Sequence, residues 1–172
     1  MYYAPFMYVY PAYPAVPLTF RTIRNEQMQD ANHLQLNDAG KQPFVVNIEE
    51  ASVQNQNYRT AIWTGDRLQV TLMSIPPGGD IGLEVHPDTD QFLRIEKGQG
   101  LVQMGPREDQ LTFQRTVGDD DAIMVPRGTW HNLTNMGAEP LKLYSIYAPP
   151  EHPFGTVHTT KQEAMMTERK HY

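Results

Sequence analysis

Two of the six histidines lie in segments whose residue types and spacing favour chemistry. His86 ends the segment LEVH and His131 ends the segment PRGTWH, and each histidine lies in a predicted strand beside a turn that contains Gly or Pro. Because residues two apart on a strand share a face, Glu84 and His86 are predicted to present a carboxylate oxygen and an imidazole to the same point. Such a pair is suited to binding a divalent metal ion.

Composition limits what kind of site this is. The 172 residues include no cysteine, which excludes disulfides, thiolate zinc sites, Fe–S clusters and cysteine nucleophiles, so any metal would be held by His, Asp, Glu or a neutral oxygen. The formal net charge is −6 and Lys and Arg form no cluster, so we expect no nucleic-acid and no membrane partner. A hydrophobic content of 40% and this length predict one folded domain.

The segments that follow Pro43 are typical of an all-β fold. Short β-type runs are separated by Gly, Pro, Asp and Asn, and their spacing leaves no room for helical crossovers, which predicts an antiparallel sandwich or barrel. In one run Leu68, Val70 and Leu72 alternate with polar residues, as in a half-buried strand. The predicted strands are Phe44–Ile48, Tyr58–Thr64, Arg67–Ile75, Gly82–His86, Gln91–Glu96, Leu101–Met104, Leu111–Val117, Ala122–Val125, Trp130–Thr134 and Leu141–Tyr147.

The two histidine segments resemble the paired motifs of the cupin superfamily, over about Arg67 to Tyr147. The first motif runs Gly, five residues, His-x-His, three or four residues, Glu, six residues, Gly. The second runs Gly, five residues, Pro-x-Gly, two residues, His, three residues, Asn. They fall on Gly78, Glu84, His86, Gln91 and Gly98, and on Asp120, Pro126, Gly128, His131 and Asn135. The family residue is replaced at Glu84, Gln91 and Asp120, and the change at Asp120 is expected to alter only a loop.

The resemblance implies a double-stranded β-helix, the cupin jelly-roll barrel, with a divalent metal that cupins usually hold through three His and one Glu. Carried over position by position, it leaves Glu84, His86 and His131 as ligands and Gln91 as a weak ligand or a partner of a bound water. This set suits Fe(II), Mn(II), Ni(II) or Zn(II). The alternative is a cupin that has lost its metal, but a carboxylate facing a barrel interior is costly unless it is paired or metal-bound.

The resemblance further implies a small single-domain bacterial cupin that acts as a metal-dependent enzyme on a small polar substrate, of sugar-phosphate isomerase or dioxygenase type. An isomerase of sugar phosphates would need a basic group inside the barrel, yet Arg94 is predicted on the face opposite Gln91. The other class is a non-catalytic binding or structural protein, such as a coat component, which the Tyr/Pro-rich N-terminus suggests. Without a signal peptide or transmembrane segment, we expect a cytoplasmic protein, with a surface or coat assembly as the alternative.

The regions on either side of the barrel, which is predicted at residues 43–150, differ from it in composition. Residues 1–42 are predicted to form an arm and a polar segment, because residues 1–17 hold five of the nine tyrosines and four of the fourteen prolines. We expect this extended arm to reach across a homodimer, with a tail that is disordered or lies along the domain surface as the alternative. The polar segment has at best one weak helix, within residues 20–40.

Residues 151–172 are predicted to form a crossing loop and a short C-terminal helix. Thr160 and Glu163 have capping-box spacing, so the helix is predicted from about Lys161 to Lys170. In the crossing loop we expect Glu151-His152 and His158 to be exposed, with a lid over the barrel mouth or a second polar site as the alternatives.

Overall fold

The computed structural model describes residues 34–168, so the predicted arm and most of the polar segment lie outside the described residues. The elements follow in the order α1 (Ile48–Gln54), β1 (Arg59–Thr64), β2 (Gln69–Ile75), β3 (Asp90–Lys97), β4 (Gly100–Gly105), β5 (Phe113–Val117), β6 (Ala122–Val125), β7 (Trp130–Asn135), β8 (Leu141–Ala148), β9 (Val157–His158) and α2 (Lys161–Glu168). Neither helix in this range is long and apolar enough to cross a membrane.

The strands form two antiparallel sheets around one core. Six strands pair in the order β6-β3-β8-β2-β1-β9, and three pair in the order β5-β4-β7. Buried apolar side chains from both sheets pack together, among them Leu143 of β8, Ile95 of β3 and Leu133 of β7. This arrangement confirms the predicted all-β double-stranded β-helix.

The predicted strand Phe44–Ile48 is wrong, and a helix that was not predicted takes part of its place. Residues 43–47 are irregular and α1 begins at Ile48. The Asn47 side-chain oxygen accepts a hydrogen bond from the Glu50 backbone N–H at 3.2 Å, and Glu49 and Glu50 lie in the first turn. An Asn cap followed by acidic residues favours a helix start over a strand.

The predicted strand Gly82–His86 is also wrong. This segment makes a single isolated bridge, in which the Glu84 backbone N–H donates to the His131 carbonyl at 3.0 Å and the His131 N–H donates back at 2.9 Å. Gly82 has a φ of +91°, a left-handed conformation that breaks the strand. The bridge nevertheless fixes Glu84 directly beside His131, the last residue of the second histidine segment.

Strand β2 has the predicted alternation but not the predicted exposure. Gln69 and Thr71 are fully buried on the barrel's inner face. The opposite face, with Leu72, is covered by α1 through Ala51. The polar face therefore points into the barrel rather than toward solvent, and β2 is buried on both sides instead of half-buried.

The interior of the six-stranded sheet changes from apolar to polar along its strands. Directly paired residues share a face, so the register defines rows across the sheet. One row joins Met73, Leu143 and Ile95, which are all apolar, and ends in β1 at the buried Arg59. Four residues further along β8, another row joins Gln69, Tyr147 and Gln91, which are polar and at most 3% exposed. We call the second region the polar end of the barrel.

Helix α2 begins at Lys161 as predicted. The Thr160 hydroxyl oxygen accepts from the Glu163 N–H at 3.2 Å, and the Glu163 carboxylate accepts from the Thr159 N–H at 2.7 Å. The Thr160 contact confirms half of the predicted capping box, while the Glu163 carboxylate reaches one residue further back than predicted, to Thr159.

Candidate metal centre

Glu84, His86 and His131 converge inside the barrel. The Oε1 atom of Glu84 is 3.3 Å from Nε2 of His86 and 3.4 Å from Nε2 of His131. One ligand atom from each residue lies within 4.8 Å of the others, and both histidines are buried. The predicted convergence of Glu84 and His86 is confirmed, although an isolated bridge rather than a regular strand produces it.

Hydrogen bonds on the far side of each imidazole fix its orientation. Nδ1 of His131 is 2.9 Å from the Thr129 carbonyl oxygen, and because a carbonyl only accepts, this nitrogen carries the proton. Nδ1 of His86 is 3.1 Å from Oε1 of Glu151. In the neutral rings, therefore, the Nε2 lone pairs face Glu84. A ligating histidine is usually held in this way, with a carboxylate or carbonyl on its other nitrogen.

The geometry fits a metal ion better than a closed hydrogen-bond network. Nε2 of His86 and Nε2 of His131 are buried and have no hydrogen-bond partner among residues 34–168. Their distances to Glu84 exceed the roughly 2.7–2.9 Å of a charge-assisted hydrogen bond. Two ligand atoms that are each about 2.1 Å from one metal lie about 3.0–3.4 Å apart in octahedral or tetrahedral geometry. The observed separations of 3.3 and 3.4 Å match that spacing.

The charges of the site keep its carboxylate ionised. Burial raises the pKa of Glu84, but the contacts with His131 and His86 and the charge of Arg59 outweigh it, and the pKa lies well below its ordinary value. Burial lowers the pKa of His86, but Glu151 and Glu84 outweigh this effect and raise the pKa to about 9. Metal binding at Nε2 would therefore release a proton from His86.

Glu151 is a residue of this site that the sequence did not reveal. It was expected to be an exposed loop residue, yet its carboxylate contacts Nδ1 of His86. Burial raises the pKa of Glu151, but the contacts with His86 and Thr89 outweigh burial, so the pKa is lowered. Its position, 65 residues after His86 in a Pro-rich crossing, follows no periodicity. Glu151 as a whole is exposed, as expected, but the exposure expected for His152 and His158 is wrong, because His152 is half-buried and His158 is only 6% exposed.

Gln91 lies on the inner surface of the barrel, as its motif position predicts. It is 3% exposed, and its side-chain N–H donates to the Ser145 hydroxyl at 3.0 Å. Its Oε1 is buried and has no partner among the described residues. Gln91 pairs with Tyr147, whose ring packs edge-on against His86 at 5.7 Å between centroids. Its role as a weak ligand stays a prediction.

Within residues 34–168, Arg59 lies inside the barrel and Arg94 lies outside it. Arg94 points outward as predicted and contacts Glu96 at 2.8 Å and Asp120 at 2.5 Å. Arg59, at the start of β1, is 2% exposed and pairs with Met73, whose side chain belongs to the interior. Arg59 lies two residues before Ala61 on β1, so the two share a face. This period-2 alternation was the sequence signal that could have placed Arg59 on the inner face.

Similarity to known proteins agrees with this architecture. The cupin domain family matches residues 71–147, the range that carries both motifs. The protein YrkC of Bacillus subtilis (strain 168) is 53% identical over 98% of this chain and 100% of its own length.

Solved structures extend the agreement to the fold. The crystal structure of BH2720 from Bacillus halodurans is 65% identical, with a TM-score of 0.75 over 76% of this chain and 98% of that one. A conserved protein of Klebsiella pneumoniae with a double-stranded β-helix domain is 18% identical, with a TM-score of 0.52 over 69% of this chain and all of that chain. At that identity the likeness shows the fold alone.

Proposed function

We propose that this chain, which belongs to the cupin family, binds one divalent transition metal through Glu84, His86 and His131 and acts with it as an enzyme on a small polar molecule. The observation that carries the proposal is the convergence of two buried imidazole nitrogens, without hydrogen-bond partners in the described range, on one carboxylate oxygen. Burying such groups together is costly unless something joins them.

Each residue of the candidate site has a distinct role in this proposal. Glu84 supplies the negative charge, and the two histidines supply neutral nitrogens that Glu151 and the Thr129 carbonyl orient. Gln91 adds a neutral oxygen, either as a weak ligand or as a partner of a bound water. When bound, Fe(II), Mn(II), Ni(II) or Zn(II) would supply a Lewis acid with open positions for substrate, water or dioxygen.

Elemental analysis tests the metal site directly. Protein purified without a histidine tag and reconstituted with Zn(II) should hold about one metal per chain, and His131→Ala should lose it because one of three strong ligands is gone. Thr134→Ala, on the outward face of the same strand, is the matched control and should keep the metal. Equal metal content in wild type and His131→Ala would contradict the assignment.

Two imidazoles and one carboxylate favour the dioxygenase type over the isomerase type. This set is the facial triad typical of non-haem iron(II) oxygenases. Substrate-dependent oxygen consumption by the Fe(II)-loaded protein, absent in Glu84→Gln, supports that type. Turnover without oxygen uptake favours an isomerase, for which the buried Arg59 rather than Arg94 offers the basic group. Stoichiometric metal with no turnover favours the non-catalytic alternative.

The homodimer expected from the arm stays a prediction, because residues 1–17 lie outside the described range.

A further inference from the structure

Three more polar groups are buried at the polar end of the barrel without hydrogen-bond partners among residues 34–168. They are the hydroxyl of Tyr147, the hydroxyl of Thr71 and Nε2 of His152. Tyr147 and Thr71 are fully buried. Native proteins pair nearly all buried polar groups, since an unpaired one costs about as much free energy as a lost hydrogen bond. Three such groups in one region point to a ligand that completes them.

Tyr147 has both of the other residues as neighbours, Thr71 through the strand register and His152 through a ring contact. Thr71 pairs with Ser145, two residues before Tyr147 on β8, so Thr71 and Tyr147 are neighbours on the inner face. The His152 ring packs edge-on against Tyr147 at 5.1 Å between centroids. Gln69 holds His152 in place, because its side chain accepts from the His152 N–H at 2.9 Å and donates to the His152 carbonyl at 2.8 Å.

This group of residues adjoins the candidate metal centre. The ring of Tyr147 stands perpendicular to that of His86, with centroids 5.7 Å apart. Tyr147 therefore contacts a proposed ligand residue with one part of its ring and His152 with another. A molecule held by Glu84, His86 and His131 would therefore have Tyr147 as its neighbour.

The three groups are neutral hydrogen-bonding groups. Burial raises the pKa of Tyr147 to about 12, against the opposing influence of Arg59 and Ser145. Burial and the charge of Arg59 hold the pKa of His152 well below its usual range. Neutral hydroxyl and imidazole groups recognise hydroxyl, carbonyl or carboxylate oxygens, and a site built for such oxygens rejects an analogue that lacks one.

We propose that Tyr147, Thr71 and His152 bind one end of a small molecule that carries oxygen on three adjacent carbons, whose other end lies at Glu84, His86 and His131. This inference rests on the proposed function, because the metal cluster holds the first two oxygens. The third oxygen, beyond the pair that a 2-hydroxy acid offers to a metal, then meets the hydroxyls of Tyr147 and Thr71.

A matched pair of probes tests the proposal. Glycerate and lactate are both 2-hydroxy acids, and they differ only in the hydroxyl on the third carbon. Calorimetric titration of the Zn(II)-loaded protein should show glycerate binding about tenfold more tightly than lactate, the effect of about one buried hydrogen bond. Tyr147→Phe should remove this preference, whereas Tyr144→Phe, on the outward face of the same strand, should keep it.

The melting temperature of the ligand-free protein gives an independent test of the proposal. If the Tyr147 hydroxyl awaits a ligand, Tyr147→Phe should not lower the melting temperature, and a clear drop would show that the hydroxyl is already satisfied and would overturn the proposal. Thr71→Val, which keeps the side-chain shape, should also reduce the preference for glycerate. It replaces Tyr147→Phe as the test variant if Tyr147→Phe does not fold.

The metal content of every sample separates the two possible failures. Wild-type protein that takes up no Zn(II) would refute the proposed function. Wild-type protein with about one Zn(II) per chain that binds glycerate and lactate equally, or binds neither, would refute the present inference alone.

Discussion

The apolar and polar ends of the barrel interior are built from the same strands, yet they differ in how their side chains are satisfied. On β8, Leu141 and Leu143 pack into the main hydrophobic cluster. Four residues after Leu143, Tyr147 is equally buried, but its hydroxyl has no hydrogen-bond partner in the described part of the chain. The same strand therefore contributes packed apolar surface at one end and unsatisfied polar groups at the other.

Within one sheet, therefore, the apolar end stabilises the fold and the polar end carries the candidate site. Burying apolar surface stabilises the fold by about 25 cal/mol per Å². Burying a polar atom without a partner costs about 1–3 kcal/mol. A site placed on the continuation of well-packed strands is held rigidly by its neighbours, which keeps ligand atoms at a fixed separation. The apolar end thus compensates for the cost of the polar end.

Two substitutions on β8, one in the apolar cluster and one beside the polar end, should differ most in how far they lower the free energy of unfolding. Leu143→Ala should lower the free energy of unfolding by about 3 kcal/mol, because it leaves a cavity in the core. Ser145→Ala, two residues further on β8, should cost no more than about 1–2 kcal/mol, since it removes the hydrogen bond from Gln91 and the contact with Tyr147 but no apolar packing. Urea denaturation of the metal-free variants measures both values. The reverse order would show that the polar end carries the stability.

The orienting contact of Glu151 with His86 should affect metal binding more than folding. Glu151→Gln should weaken Zn(II) affinity by about 10–100-fold, because the amide cannot accept from Nδ1 with the strength of a carboxylate. Glu108→Gln, at an exposed position, is the control and should bind Zn(II) as wild type does. Competition with a chromophoric chelator gives the affinities. Unchanged binding in Glu151→Gln would remove Glu151 from the metal centre.

The smallest expected effect is a pH dependence that arises at His152. Its pKa lies well below the usual 6.5 in the folded protein, so below pH 6.5 the unfolded chain binds a proton that the folded chain does not. The free energy of unfolding of the metal-free protein should therefore fall as the pH drops from about 6.5 toward 5, by at most about 1.4 kcal/mol per pH unit.

A comparison with His152→Gln isolates this effect. The raised pKa of His86 acts with the opposite sign, but its contribution is lost between pH 6.5 and about 9 and is complete below that window. Urea denaturation at pH 7, 6 and 5 should show a smaller loss in His152→Gln than in wild type. Identical pH profiles would mean that His152 titrates normally and is not buried as a neutral ring.

The sequence predicted an all-β fold from its short β-type runs, and the resemblance to the cupin motifs supplied the barrel type and the three converging residues. The resemblance to the two cupin motifs identified Glu84, His86 and His131, and period-2 alternation identified the shared face of β2. Alternation does not say which face meets water, and the polarity of Gln69 and Thr71 suggested the wrong one. The contact of Glu151 with His86 depends on how a long crossing returns to the barrel, which no local pattern encodes.

Anomalous diffraction from crystals soaked in Zn(II) tests the central claim most directly. We expect one strong peak within about 2.0–2.2 Å of Oε1 of Glu84, Nε2 of His86 and Nε2 of His131. A peak elsewhere, or no peak with these three side chains unchanged, would contradict it.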